Sequence, residues 1–189
     1  MRILLNGVAA VAAVVWLAGC GFENPLTGGA TKDMNTWLLG VWEHRNAKGN
    51  LVGRVSVTPQ APARYWVVAE KKEKGRTKVY TFDAWISRVG RASFLSLKCV
   101  SAPADLAPDT FLFVHYQLLS QNAVRLRLLE LASAPDASSY ELRKEVRARL
   151  KDQTLLAGEG TDWERVSEVY WSGDDAPQPF QPLRFPTAE

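Results

Sequence analysis

Residues 51–58 read Leu51-Val52-Gly53-Arg54-Val55-Ser56-Val57-Thr58. One alternate set, Leu51, Gly53, Val55 and Val57, is apolar, whereas Arg54, Ser56 and Thr58 make the other largely polar. Successive side chains of a strand point to opposite faces, so this pattern predicts a strand with one face on a core and one in water. The same period of two recurs on both sides. Candidate strands are Trp37 to Arg45, Leu51 to Thr58, Arg64 to Glu70, Val79 to Ser87, Ala92 to Val100, Thr110 to Leu119, Ala123 to Leu131 and Trp163 to Trp171. Turn-forming runs separate them: residues 46–50, Pro59 to Pro62, Lys74-Gly75, Val89-Gly90-Arg91 and Ser120-Gln121-Asn122. Connections this short predict antiparallel hairpins in a meander.

One helix interrupts the series. Ser138-Ser139-Tyr140-Glu141 has the SxxE form of a capping box, and Leu142, Val146 and Leu150 then recur every fourth residue among Arg143, Lys144, Arg147 and Arg149. The pattern predicts an amphipathic helix to about Asp152, its apolar face on the sheet and its charges in water. About eight strands leave two exposed edges unless the sheet closes on itself, and closure removes both. The expected architecture is mainly all-β: an antiparallel meander closed into a roughly eight-stranded barrel. The single helix precedes the last strand and plugs one end or covers a seam. A two-sheet sandwich is the alternative.

The ends of the chain have a different character. Met1-Arg2-Ile3 precedes an apolar run from Val8 to Leu17 and then Leu17-Ala18-Gly19-Cys20. A positive start, about ten apolar residues and a small-residue cleavage site mark a secretory signal, since a spanning helix needs about twenty. Residues 1–19 are thus expected to be removed between Gly19 and Cys20. Residues 20–35 have no period and are rich in turn formers, and they read as a tether. A domain over 36–171 follows, then a flexible tail over 172–189 holding Pro177, Pro179, Pro182 and Pro186.

Composition supports one ordinary folded domain. Hydrophobic residues make up 47% of the 189 and charged residues 23%, which excludes disordered, collagen-like and polytopic membrane classes. The net charge of +3 selects no partner. Lys71, Lys72, Lys74, Arg76 and Lys78 cluster around Gly75, but Glu70 and Glu73 lie among them. The run reads as a solvated hairpin tip, and no nucleic-acid partner is expected. Two cysteines, Cys20 and Cys99, give no disulfide framework. Cys99 lies in the apolar alternation of residues 94–100 and is expected to be a buried, inert thiol.

Leu17-Ala18-Gly19-Cys20 resembles the lipobox of bacterial lipoproteins. That resemblance implies diacylglycerol on the Cys20 thiol and often a further acyl group, such as palmitate, on its freed amine. It implies a membrane anchor through the N-terminus in the cell envelope. Two or more acyl chains hold a protein stably where one does not. Gly21 stands where an aspartate would favour the inner membrane of a Gram-negative envelope, which points to the periplasmic face of the outer membrane.

A second likeness sits in the first strand. Gly40-Val41-Trp42 resembles the GxW signature of lipocalins and other calycins, in which the tryptophan closes the barrel floor beneath a basic residue of the last strand. Arg165 is the matching residue, so Trp42 and Arg165 form the implied structural pair. Lipocalins place their long helix after the eighth strand and carry a middle TDY motif, neither of which is found here. The mature chain is also similar to small bacterial lipoproteins of no assigned activity that open with a Leu-Gly-x-Trp-Glu strand.

Catalytic and metal chemistry find no support in the sequence. His44 and His115 stand on separate predicted strands, no nucleophile elbow occurs, and residues 158–161 follow a helix and precede a strand, the wrong order for a phosphate loop. No enzyme activity, metal or cofactor is expected. The aromatic residues of the strands are the remaining clue. Trp66, Tyr80, Phe82, Phe113 and Tyr116 are the candidate lining of a ligand pocket if the barrel is hollow. The function expected is that of a membrane-anchored envelope protein, either an interaction or structural module with a filled barrel, or a lipocalin-like carrier of a small apolar or lipid ligand.

Overall fold

A computed structural model of the chain describes residues 21–60, 62–73, 75–156 and 160–168. Its eight strands are β1 (Gly40–Arg45), β2 (Leu51–Gln60), β3 (Arg64–Glu73), β4 (Arg76–Val89), β5 (Ala92–Ser101), β6 (Phe111–Ser120), β7 (Ala123–Leu128) and β8 (Thr161–Ser167). Each pairs antiparallel with its successor, and β8 returns to pair with β1, so the sheet closes into a barrel with a simple meander order. Neither edge is left open, as the sequence pattern requires.

Period two holds around the wall. Val55 and Val57, Val67, Phe82 and Ala84, Leu95 and Leu97, Leu112 and Val114, and Val124 and Leu126 all belong to one inner cluster. The floor is built by the chain just before β1. A single 3-10 turn, Thr36–Leu38, takes the place of the predicted start of the first strand, because the Asn35 side chain accepts a hydrogen bond from the Trp37 amide and caps it. Leu38 and Leu39 turn into the core, and the Asn35 amide donates to the Tyr65 hydroxyl at 2.6 Å. At the opposite end the loop between β5 and β6 folds inward and buries Leu106 in the inner cluster.

Gly40 explains the first letter of the GxW sequence. Its φ is +135°, and a Cβ there would stand 2.6 Å from the Ser167 carbonyl oxygen of β8. Only glycine adopts this backbone without strain and lets the two strands approach so closely at the closing seam.

A second core lies outside the barrel. Trp85, Val89, Phe94, Phe111 and Phe113 project outward from β4, β5 and β6 and pack with Phe22, Leu26, Leu129, Leu142, Val146 and Leu155. Part of the cover is helix α1 (Ser139–Lys151), whose capping box forms as the sequence predicts: the Ser138 side chain accepts from the Glu141 amide and Glu141 reaches back. Leu142 and Val146 are fully buried, each contributing about 1.5–3 kcal/mol of apolar burial. The helix lays its apolar face on the sheet as expected, but on the outer wall of β4 to β6 and not as a plug in one end or over a seam. Four outward aromatic residues on β4 to β6 need cover, and the helix lies there.

The reading of residues 20–35 as a tether is corrected for its described part. Phe22 and Leu26 are buried, at 8% and 0% exposure. The Phe22 amide donates to the Phe111 carbonyl and the Phe111 amide donates back, at 2.9 and 2.7 Å. Farther on, the Thr27 hydroxyl joins Ser87 and Ser96 in a buried chain with 2.7 Å spacings, and the Thr31 amide donates to the Ile86 carbonyl. The segment is a strap laid along the outer wall from one end of the barrel to the other. Gly19 and Cys20, with residues 1–19, lie outside the described residues. So do residues 169–171 of the predicted last strand and the proline-rich tail over 172–189.

Candidate functional site: the barrel interior

The inner wall is not packed solid. An apolar cavity of about 150 Å³ runs from Leu38 and Trp42 at the floor, between Leu97 and Val124, to Tyr80 and Leu128 near the far end. Trp163 of β8 forms part of its side. The ring lies across Gly53 of β2, where a Cβ would meet it at 3.1 Å, so the glycine makes room for the indole.

At the floor the Arg165 guanidinium carbon lies 4.6 Å from the centre of the Trp42 ring, and the two residues face each other across the β1–β8 pair. The Trp42 indole nitrogen donates to the Leu38 carbonyl at 2.9 Å, and Arg165 donates to the Trp37 carbonyl. The structure thus brings Trp42 and Arg165 together, in a contact worth about 0.5–2 kcal/mol. Both hydrogen bonds tie the 3-10 turn to the floor and close this end.

The far end is the mouth. Here Tyr80, buried in the wall, donates its hydroxyl to Asp105 at 2.9 Å, while the Lys78 ammonium donates to the same carboxylate oxygen at 2.8 Å. Burial, and then the Asp105 carboxylate, pushes the Tyr80 phenol up to about 12, so it remains a donor. The Lys78 hydrogen bond holds the Asp105 carboxyl below the usual carboxylate range. This pair of bonds pins the β5–β6 loop and sets Leu106 at the rim.

Two of the five aromatic residues expected to line a pocket, Tyr80 and Phe82, do line the cavity. Trp66 does not, because Tyr65 and Val67 take the inward positions of β3 and leave it half-buried on the outer face. Phe113 is also on the outside, stacked on Phe22 with ring centres 5.3 Å apart. Tyr116 points inward, but at the floor, where it shares a groove with Ile86 and residues 30–35. Most of the lining is aliphatic, and Trp163 was not anticipated. Its signal was the alternation through Thr161, Trp163 and Arg165, which places all three on the inner face once Arg165 is paired with Trp42.

The candidate chemical groups are dispersed. The His44 Nδ1 lies 3.0 Å from the Asp162 carbonyl and its ring tilts against Trp163. His115 lies outside β6 against Phe94, and burial, then the nearby Arg127, depresses its pKa. Cys99 is a free thiol inside the barrel, 1% exposed, and burial pushes its pKa up. Among the described residues no group of three or more His, Cys, Asp and Glu side chains is placed to hold a metal ion. No described helix is long and apolar enough to cross a membrane. The site is therefore a mainly apolar slot, closed below, with Glu70, Lys71, Tyr80 and Thr161 among its lining and with Asp105, held by Lys78, bonded to the Tyr80 hydroxyl at the mouth. Comparison with family models, with curated proteins and with solved structures finds no match.

Proposed function

We propose that this protein is a lipid-anchored binding module of the cell envelope whose barrel holds one slender apolar group, such as a single acyl chain or a small apolar molecule. The observation that carries this reading is the apolar cavity above Trp42. At about 150 Å³ it matches the size of an apolar protein cavity that takes benzene, and such cavities stay dry. The lipobox likeness at Cys20 supports the anchor, and the mostly aliphatic lining of the slot supports an apolar occupant.

Size also sets the strength. Six apolar carbons at about 0.8 kcal/mol each give about 5 kcal/mol, a Kd on the order of 0.1–1 mM for the inserted segment alone. Ala69 lines the slot, and Ala69→Phe fills it. Titration with a medium-chain fatty alcohol, followed by intrinsic tryptophan fluorescence, should give saturable binding that Ala69→Phe weakens at least about tenfold, equivalent to 1.4 kcal/mol. Native mass spectrometry of protein from its own host should find an apolar mass bound. An empty native protein that also ignores every chain length would end the carrier reading.

The second reading is a structural or interaction module with an effectively filled barrel. It is favoured by the same volume, since ligand sites usually begin at about 300 Å³. Under it, crosslinking in intact cells traps a defined envelope protein, and deletion of residues 172–189 weakens that contact while the barrel stays folded.

A further inference from the structure

The chain joins the barrel at the mouth. Phe22 pairs with Phe111, the first residue of β6, and Gly21 is pressed so tightly on Thr110 that a Cβ would stand 2.3 Å from its hydroxyl oxygen. The strap then runs away from the mouth, past Ser87 and Ile86, to the floor at Tyr65. Consecutive Cα atoms are 3.8 Å apart, so a group carried by residue 20 has almost no free chain with which to move away from this end.

The same end carries the cationic hairpin. Strands β3 and β4 meet at Gly75, and residues 70–78 hold Lys71, Lys72, Lys74, Arg76 and Lys78 against Glu70 and Glu73. Lys78 bridges Glu73 and Asp105, whereas Lys72 and Arg76 are exposed. Val79 and Val100, on the mouth-side parts of β4 and β5, are exposed at 47% and 46%. A hydrophobic anchor and a basic tip on one rim fit a single partner, a bilayer with anionic headgroups.

We propose that the barrel sits mouth-down on the membrane that holds it, with the β3–β4 hairpin on anionic headgroups and the cavity opening toward the bilayer. An apolar group then reaches the slot from the membrane without crossing water, and the Trp42 floor faces the aqueous side. This orientation rests on the anchored-module reading.

The test uses the full chain, expressed in a bacterial host and extracted from its membranes, with mass spectrometry of the N-terminal peptide recording whether Cys20 is acylated. Fluorophores are attached at Thr77→Cys on the hairpin or at Arg91→Cys on the floor-side β4–β5 turn, both exposed sites. The protein is reconstituted into phosphatidylcholine vesicles with or without phosphatidylglycerol, carrying a headgroup quencher. Quenching of the Thr77 label alone, enhanced by phosphatidylglycerol, is expected. Lys72→Gln with Arg76→Gln should lower hairpin contact with the anionic surface about ten- to thirtyfold. Equal quenching of both labels, or stronger quenching at Arg91, overturns the orientation. If Cys20 is acylated in that case, the anchor stands without the orientation. Quenching at Thr77 on a chain that keeps residues 1–19 supports the orientation and removes the acyl anchor. A protein that does not stay with the vesicles overturns both.

Discussion

Gly40 and His115 show how much single positions decide here. The Gly40 backbone lies at φ +135° against the Ser167 carbonyl, so Gly40→Ala adds backbone strain and a clash with a strand that cannot move without opening the seam. Chemical denaturation should show a loss of about 2 kcal/mol or more, whereas Gly28→Ala, at an exposed position with no positive φ and open space around an added Cβ, should lose far less. His115 gives a pH dependence with a definite sign. Burial and Arg127 hold its folded pKa below the ordinary 6.5, so the unfolded chain takes up the proton first as pH falls. Its stabilising contribution is complete above pH 6.5 and is lost as pH drops through the window below that value, toward the folded pKa. The melting temperature should fall across this window, with a slope no greater than one proton's. His115→Gln should flatten that part of the curve, and an unchanged curve would remove His115 as the cause.

At the scale of elements, strands and helix were legible because each rests on a local rule. Alternation at residues 51–58 predicts β2 to within its last residues, and Ser138 with Glu141 predicts the start of α1. The direction of each face was not legible for β4 to β6, since both faces are apolar: Phe82 and Ala84 face inward while Trp85, Phe94 and Phe113 face outward. For that reason Phe113 read as a pocket residue. Trp66 misled for a related reason, being a large aromatic on a wall whose inward positions were already taken. The strap was missed because it has no period and its apolar anchors, Phe22, Leu26 and Met34, are irregularly spaced in a run of turn formers. Those anchors make it testable. Leu26 is completely buried between the wall and α1, so Leu26→Ala should cost about 2–5 kcal/mol. A true tether would lose almost nothing. The loss should be seen together with faster hydrogen exchange at the Thr31 amide, which bonds to β4.

Across the whole molecule the barrel is closed but not uniformly fastened. Strands β3 and β4 pair along their length, from Arg64↔Trp85 to Glu73↔Arg76, whereas β7 meets β8 only from Ala123↔Glu164 to Leu126↔Thr161. The β1–β8 pairing is also short, running from Val41↔Ser167 to Glu43↔Glu164, with a register shift beside Trp42. The outer core and the strap fasten β4, β5 and β6 from behind, and neither reaches the seam. Local opening has a lower free energy where fewer backbone bonds and buried apolar contacts must be broken together. Hydrogen exchange followed by mass spectrometry should therefore show β8 amides exchanging by sub-global opening, well before those of β3 to β5. The Trp42–Arg165 contact and the Arg125–Asp162 ion pair oppose that opening from the two ends of the seam. Arg165→Met should speed exchange in β8 and leave β4 nearly unchanged. Exchange of β8 at the global rate would mean that the short pairings and their flanking contacts hold the seam as firmly as the long hairpins hold the opposite wall.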